Sequence, residues 1–162
     1  MRANSSDLRR QRGFTMAELI IVIVIIGILA VVAGPRIQGI LGAQDDAWRD
    51  QALAALRLGQ KTAVASRRLV CATVATGNVT LSIAGANPAS ACSAVLPGLD
   101  GSGSATSSRS TAATTVSPQA TLYFQPNGQV TTDGAGAAVA NFTVSIATEA
   151  AISVVGATGH VH

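Results

Sequence analysis

The sequence predicts an α+β protein: one long N-terminal helix, transmembrane and then amphipathic, packed on a C-terminal antiparallel β-sheet or β-sandwich domain. Three observations predict it. Residues 14–34 are almost continuously apolar, residues 36–66 place apolar side chains at helical spacing, and from Leu69 onward the period shifts to that of strands. Of the 162 residues, 48% are hydrophobic and only 12% charged, against about 25% charged in an ordinary soluble chain. Disorder driven by charge is therefore excluded for the chain as a whole. Five aromatic residues (Phe14, Trp48, Tyr123, Phe124, Phe142) are too few for a multi-base stacking platform on single-stranded nucleic acid.

The first element begins after a basic start. Residues 1–13 hold Arg2, Arg9, Arg10 and Arg12 against the single acid Asp7. From Leu19 to Ala33 fifteen consecutive residues are apolar or Gly, a helix of about 22 Å, too short for a hydrocarbon core of about 30 Å. Counted from Phe14 to Gly34 the run has twenty-one residues, about 31 Å, which does span. Glu18 lies inside it, and an intramembrane acid costs roughly 2.5–3.5 kcal/mol unless it snorkels or is paired. Three readings compete. A secretory signal would be cut near Val31-Val32-Ala33, a plain anchor would be kept whole, and a third kind of signal would be cut between Gly13 and Phe14 with the apolar run retained. An acid at the start of the run counts against the first, and a plain anchor has no use for Glu18.

The second half of the helix follows directly. Ile37, Ile40, Leu41, Ala47, Trp48, Leu53, Leu56, Ala63 and Val64 recur on one side, with Gln38, Asp45, Asp46, Arg49, Asp50, Arg57 and Lys61 opposite. One helix can therefore run from about Phe14 to about Arg67. Pro35 is expected to kink it at the junction, since it lacks an N–H and crowds the preceding turn.

Strands are expected at 69–74, 78–84, 120–124, 128–132, 141–146 and 151–155. Ala75-Thr76-Gly77 is a short hairpin loop, and Pro126-Asn127-Gly128 combines a preset φ with residues that tolerate φ > 0. Between Gly101 and Ser117, fifteen of seventeen residues are Gly, Ser, Thr or Ala. A flexible surface loop is therefore expected over about 98–118.

The stretch Arg12-Gly13-Phe14-Thr15-Met16-Ala17-Glu18-Leu19, with the apolar run and Gly34-Pro35-Arg36 behind it, resembles the type IV pilin and type II secretion pseudopilin family. The resemblance implies a leader at 1–13, cut after Gly13 by a prepilin peptidase that also methylates the new N-terminus at Phe14. It implies that Glu18 pairs with the terminal amine of a neighbouring subunit, which answers the cost of its burial. It further implies a domain order of transmembrane half-helix 14–34, amphipathic half-helix 35–68 and periplasmic β-rich domain 69–162. Leu53–Arg68, Tyr123–Val130 and Ile152–His162 are similar to H-type minor pseudopilins and to minor pilins of the mannose-sensitive haemagglutinin (MSHA) type. His160 stands there where an aromatic residue is usual. The implied partners are other pilin or pseudopilin subunits, the prepilin peptidase and the inner-membrane assembly machinery.

The Arg cluster before the span should remain cytoplasmic, leaving residues 36–162 outside the inner membrane before they join a pilus or pseudopilus. Cys71 and Cys92 then lie in an oxidising compartment and can pair; two buried free thiols are the alternative.

No enzyme chemistry is legible, and no cofactor or metal is expected. His160 and His162 have no Cys or acid near them in sequence to complete a metal shell. Asp100-Gly-Ser102-Gly-Ser104 has the form of some metal-dependent adhesion sites, but the segment reads as composition. Asn78-Val79-Thr80 and Asn141-Phe142-Thr143 match the N-glycosylation pattern inside expected strands. A DNA-binding minor pilin for DNA uptake is the alternative function. The exported bases Arg36, Arg49, Arg57, Lys61, Arg67, Arg68 and Arg109 lack the stripe that several phosphates require, apart from Arg67-Arg68. The formal net charge of +3 belongs wholly to residues 1–13; the rest of the chain holds seven bases and seven acids.

Overall fold

The computed structural model describes residues 15–98, 102–106, 110–147 and 149–162, and for residues 31–42 it describes the backbone alone. The helix α1 spans Met16–Ser66. Eight strands follow: β1 Val70–Ala75, β2 Asn78–Ile83, β3 Ala94–Leu96, β4 Thr114–Ser117, β5 Thr121–Phe124, β6 Val130–Thr131, β7 Phe142–Ile146 and β8 Ile152–Val154. The α+β architecture expected from the sequence is the one observed. The chain divides into two compact units, Met1–Gly39 and Ile40–His162.

In the second unit the later turns of α1 bury Trp48, Ala52, Ala55, Leu56 and Ala63, spaced so that they share one face. Small residues dominate that face, which lets the sheet approach closely. At Gly59 an added Cβ would stand 3.2 Å from Leu81 Cδ2 and 3.4 Å from the Phe124 ring. The helix ends where Arg67 takes φ = 53°. Its successor Arg68 then donates its N–H to the Ala63 carbonyl at 3.2 Å, satisfying an otherwise orphaned acceptor.

One antiparallel sheet has the order β3-β2-β1-β5-β6 and the other the order β4-β7-β8. Alternation decides which side chains face inward. Val70, Ala72 and Val74 of β1, Val79 and Leu81 of β2, and Leu122 and Phe124 of β5 join Phe142, Val144, Ile146, Ile152 and Val154 of the second sheet. Together with the helix residues they form one hydrophobic cluster. A smaller cluster on the other face of β1 gathers Leu69, Cys71 and Ala84, with Ala89, Cys92 and Tyr123 against it.

Three strands depart from the sequence expectation. β4 lies within the segment 98–118 expected to be a flexible loop, and it pairs with β7 through Thr114↔Ile146 to Ser117↔Thr143. β3 pairs with β2 although its short Ala-Val-Leu run carries no alternation. The expected strand 128–132 is reduced to Val130–Thr131. The loop region also contributes to the interior: Thr106 is buried and its Oγ1 accepts the Val79 N–H at 2.9 Å.

Candidate functional site

The first unit holds an unusual surface. Every described residue from Thr15 to Ala30 is exposed, including Leu19, Ile20, Ile21, Ile23, Ile26, Ile28 and Leu29, each more than half exposed. An apolar helix exposed on all sides has left its burial to lipid or to other chains. Among the described residues no helix is long and apolar enough to cross a membrane. Residues 16–30 amount to about 22 Å of helix, and the expected span 14–34 extends past them at both ends.

Thr15 and Glu18 organise the start of this helix. Thr15 N–H donates to Glu18 Oε2 at 3.3 Å, and Glu18 N–H donates to Thr15 Oγ1 at 3.2 Å. This is a reciprocal capping box, which satisfies two donors that a helix start leaves orphaned. The Thr-x-x-Glu spacing is the sequence signal that could have revealed this cap, and it gives Glu18 a role inside its own subunit. Gly13, Phe14 and the leader 1–13 lie outside the described residues. α1 continues through Pro35 as one helix, and the kink expected there falls on residues of which only the backbone is described.

The structure joins Cys71 and Cys92 in a disulfide. Cys71 sits on the face of β1 turned away from the helix. The bond therefore ties that face to the segment running from Ala84 towards β3.

In the second unit the charged side chains fall into two groups along α1. At the first, Asp45 accepts a 2.7 Å hydrogen bond from Ser110 Oγ, and Arg49 Nε donates to the Ala150 carbonyl at 2.6 Å while its guanidinium lies 3.5 Å from Asp50. Glu149 approaches Asp46, and sharing a hydrogen bond with that carboxyl holds its own pKa above the usual carboxylate range. At the second, Arg57 Nε donates to the Val161 carbonyl at 3.1 Å, and Lys61 follows one turn later. Elsewhere, the Ala137 and Ala138 amides donate to Asp133 at 3.1 and 2.7 Å and hold its carboxyl below the usual range.

The His160 and His162 rings stack with centroids 5.2 Å apart. Both glycosylation-pattern asparagines are engaged internally: Asn78 Oδ1 accepts from Ser104 Oγ, and Asn141 Oδ1 accepts the Gly156 N–H at 2.9 Å. Arg67 and Arg68 are exposed at the turn that ends α1.

The family model of the prokaryotic N-terminal methylation motif matches residues 8–34. The match bears out the resemblance carried by Arg12–Leu19 and the apolar run behind it. A similar solved structure is the type IV minor pilin FimU of Pseudomonas aeruginosa (strain PAO1). It has 18% sequence identity and a TM-score of 0.49, and the match covers 72% of this chain and 90% of that one. No curated protein sequence matches the chain.

Proposed function

We propose that the chain is a non-enzymatic filament subunit, a minor pilin or pseudopilin. Residues 14–34 hold it in the inner membrane until it polymerises. The observation that carries this reading is the apolar helix Met16–Ala30, exposed on every side and closed at its start by the Thr15–Glu18 cap. Such a surface is stable in lipid, and equally stable against the same surface of neighbouring subunits. Transfer from one to the other is therefore nearly neutral in apolar burial, so specific contacts decide it. Glu18, paired with the methylated amine of Phe14 on a neighbour, supplies such a contact, and the Arg-rich leader 1–13 fixes the orientation before it is removed.

The patches at Leu53–Arg68, Tyr123–Val130 and Ile152–His162 support a place among H-type pseudopilins or MSHA-type minor pilins, in a filament for protein secretion or adhesion. N-terminal sequencing and intact mass of the mature protein test the reading. A start at N-methylated Phe14 is expected, and a start at Gly34 would replace the filament subunit with a secreted domain.

A further inference from the structure

The second unit carries an anion-receptive cleft that the filament reading does not use. Between α1 and the turn that follows β8 lies an open cleft of about 500 Å³ lined by Arg57, Gln60, Lys61, Thr158, Gly159, His160 and Val161. Three of its side chains are cationic or become so on protonation, and among the described residues no acid lines it. The two walls are held together. Arg57 Nε is spent on the Val161 carbonyl at 3.1 Å, which fixes the guanidinium plane, while its terminal amino groups make no bond among the described residues. Lys61 makes none at all there. The opposite wall is a tight turn: Gly159 has φ = 67° and donates its N–H to the Val155 carbonyl at 2.7 Å. A Cβ on Gly159 would strike the Gly128 carbonyl. Beside this cleft, on the far side of Arg57 and Lys61, a second hollow of about 350 Å³ is lined by Ala54, Ala55, Leu58 and Ala105 together with the same two cations.

We infer that this paired cleft is a docking site for an acidic polypeptide segment, carboxylates set on Arg57, Lys61 and His160 and an adjoining apolar side chain set in the Ala54–Leu58–Ala105 hollow. Charge complementarity favours an anion, because among the described residues no acid lines the cleft beside Arg57, Lys61 and His160. The apolar hollow selects protein over nucleic acid. A nucleic-acid backbone needs a longer run of cations and aromatic platforms, and no Phe, Trp or Tyr lines either hollow among the described residues. That the acidic segment belongs to a neighbouring filament subunit rests on the proposed function; the cleft itself does not.

The full chain in detergent micelles is titrated with a blocked Glu-Glu-Leu peptide while the His160 ring resonances are followed by NMR. The control arms are the matching Gln-Gln-Leu peptide, inorganic phosphate, and a short single-stranded DNA. Saturable shifts with the acidic peptide alone are expected, weakened at least about fivefold by Lys61→Gln or Arg57→Gln. The Leu58→Ser variant tests the hollow separately and should weaken binding without removing it. No shift with the acidic peptide, an equal response to phosphate, or tighter binding of DNA would each overturn the inference. Because the titration needs no filament, a negative result beside a mature start at Phe14 removes the cleft alone. A positive result beside a start at Gly34 removes the filament reading and leaves the cleft.

Discussion

Trp48 Nε1 donates a 3.1 Å hydrogen bond to Thr114 Oγ1, fastening the buried face of α1 to strand β4. Trp48 is fully buried, so its ring contributes apolar area and its N–H contributes direction. The two are separable. Trp48→Phe keeps most of the apolar volume and loses the bond, and a stability loss of about 1 kcal/mol is expected. Trp48→Ala leaves a cavity in addition, for about 3–5 kcal/mol. The urea midpoint at unchanged slope reads both. Equal losses for the two variants would mean that the hydrogen bond, not the packing, holds the helix to the second sheet.

That contact also marks where the sequence stopped being legible. β1, β2, β5, β7 and β8 announce themselves because Val, Leu, Ile and Phe alternate with polar residues, as in Asn78–Ile83 and Phe142–Ile146. β4 does not. Thr114–Ser117 has one large apolar residue, Val116, in a Gly/Ser/Thr/Ala-rich stretch, and its strand character comes from pairing with β7. β3 is equally mute, three residues made a strand by β2. Glu18 was legible as a site but not in its local role. Its place in an apolar run draws the eye to charge burial, while the Thr three residues before it makes it a capping residue. The Arg57–His160 cleft had no sequence signal, because 103 positions separate its two walls.

The Cys71–Cys92 disulfide closes a loop at a sequence separation of 21. In the chain-entropy account, cross-linking a loop of this size stabilises by roughly 3 kcal/mol. The double variant Cys71→Ala/Cys92→Ala is therefore expected to lose about that much, with the β1–β2 and β1–β5 pairings retained. Chemical unfolding of the oxidised, reduced and variant chains checks it. The reduced wild type should match the variant; a reduced chain as stable as the oxidised one would assign the bond no part in stability.

Glu18 caps the start of α1, and two substitutions distinguish that role from the proposed pairing with a neighbour's amine. Glu18→Gln retains an acceptor able to reach the Thr15 N–H, as Gln does in capping boxes, but removes the charge. Glu18→Val removes both, and loss of a cap costs about 0.5–2 kcal/mol. Membrane insertion and cleavage after Gly13 should survive in both. If the charge pairs with a neighbour's terminal amine, both variants fail to enter filaments, as read by immunoblotting sheared filament fractions. Normal incorporation of Glu18→Gln would reduce Glu18 to a capping residue.

The two shifted carboxylates act on stability in opposite directions as pH changes. Glu149, held above the usual range by its hydrogen bond with Asp46, keeps its proton in the folded chain at pH values where the unfolded chain has lost it. Stability therefore falls as pH rises from the ordinary glutamate range, about 4.3, up through the raised folded value, and the deficit then persists. Glu149→Gln removes that deficit, so the variant should gain on the wild type as pH climbs through this window and hold its lead at neutral pH. Asp133, held below the usual range by the Ala137 and Ala138 amides, contributes stability that is complete above the ordinary aspartate range, about 3.9, and is lost as pH falls through the lowered folded value. Asp133→Asn should trail the wild type at neutral pH and converge with it in acid. Urea unfolding of the three chains at a series of pH values reads both slopes, and a Glu149→Gln lead that shrinks as pH rises would place the carboxyl proton on the unfolded chain instead.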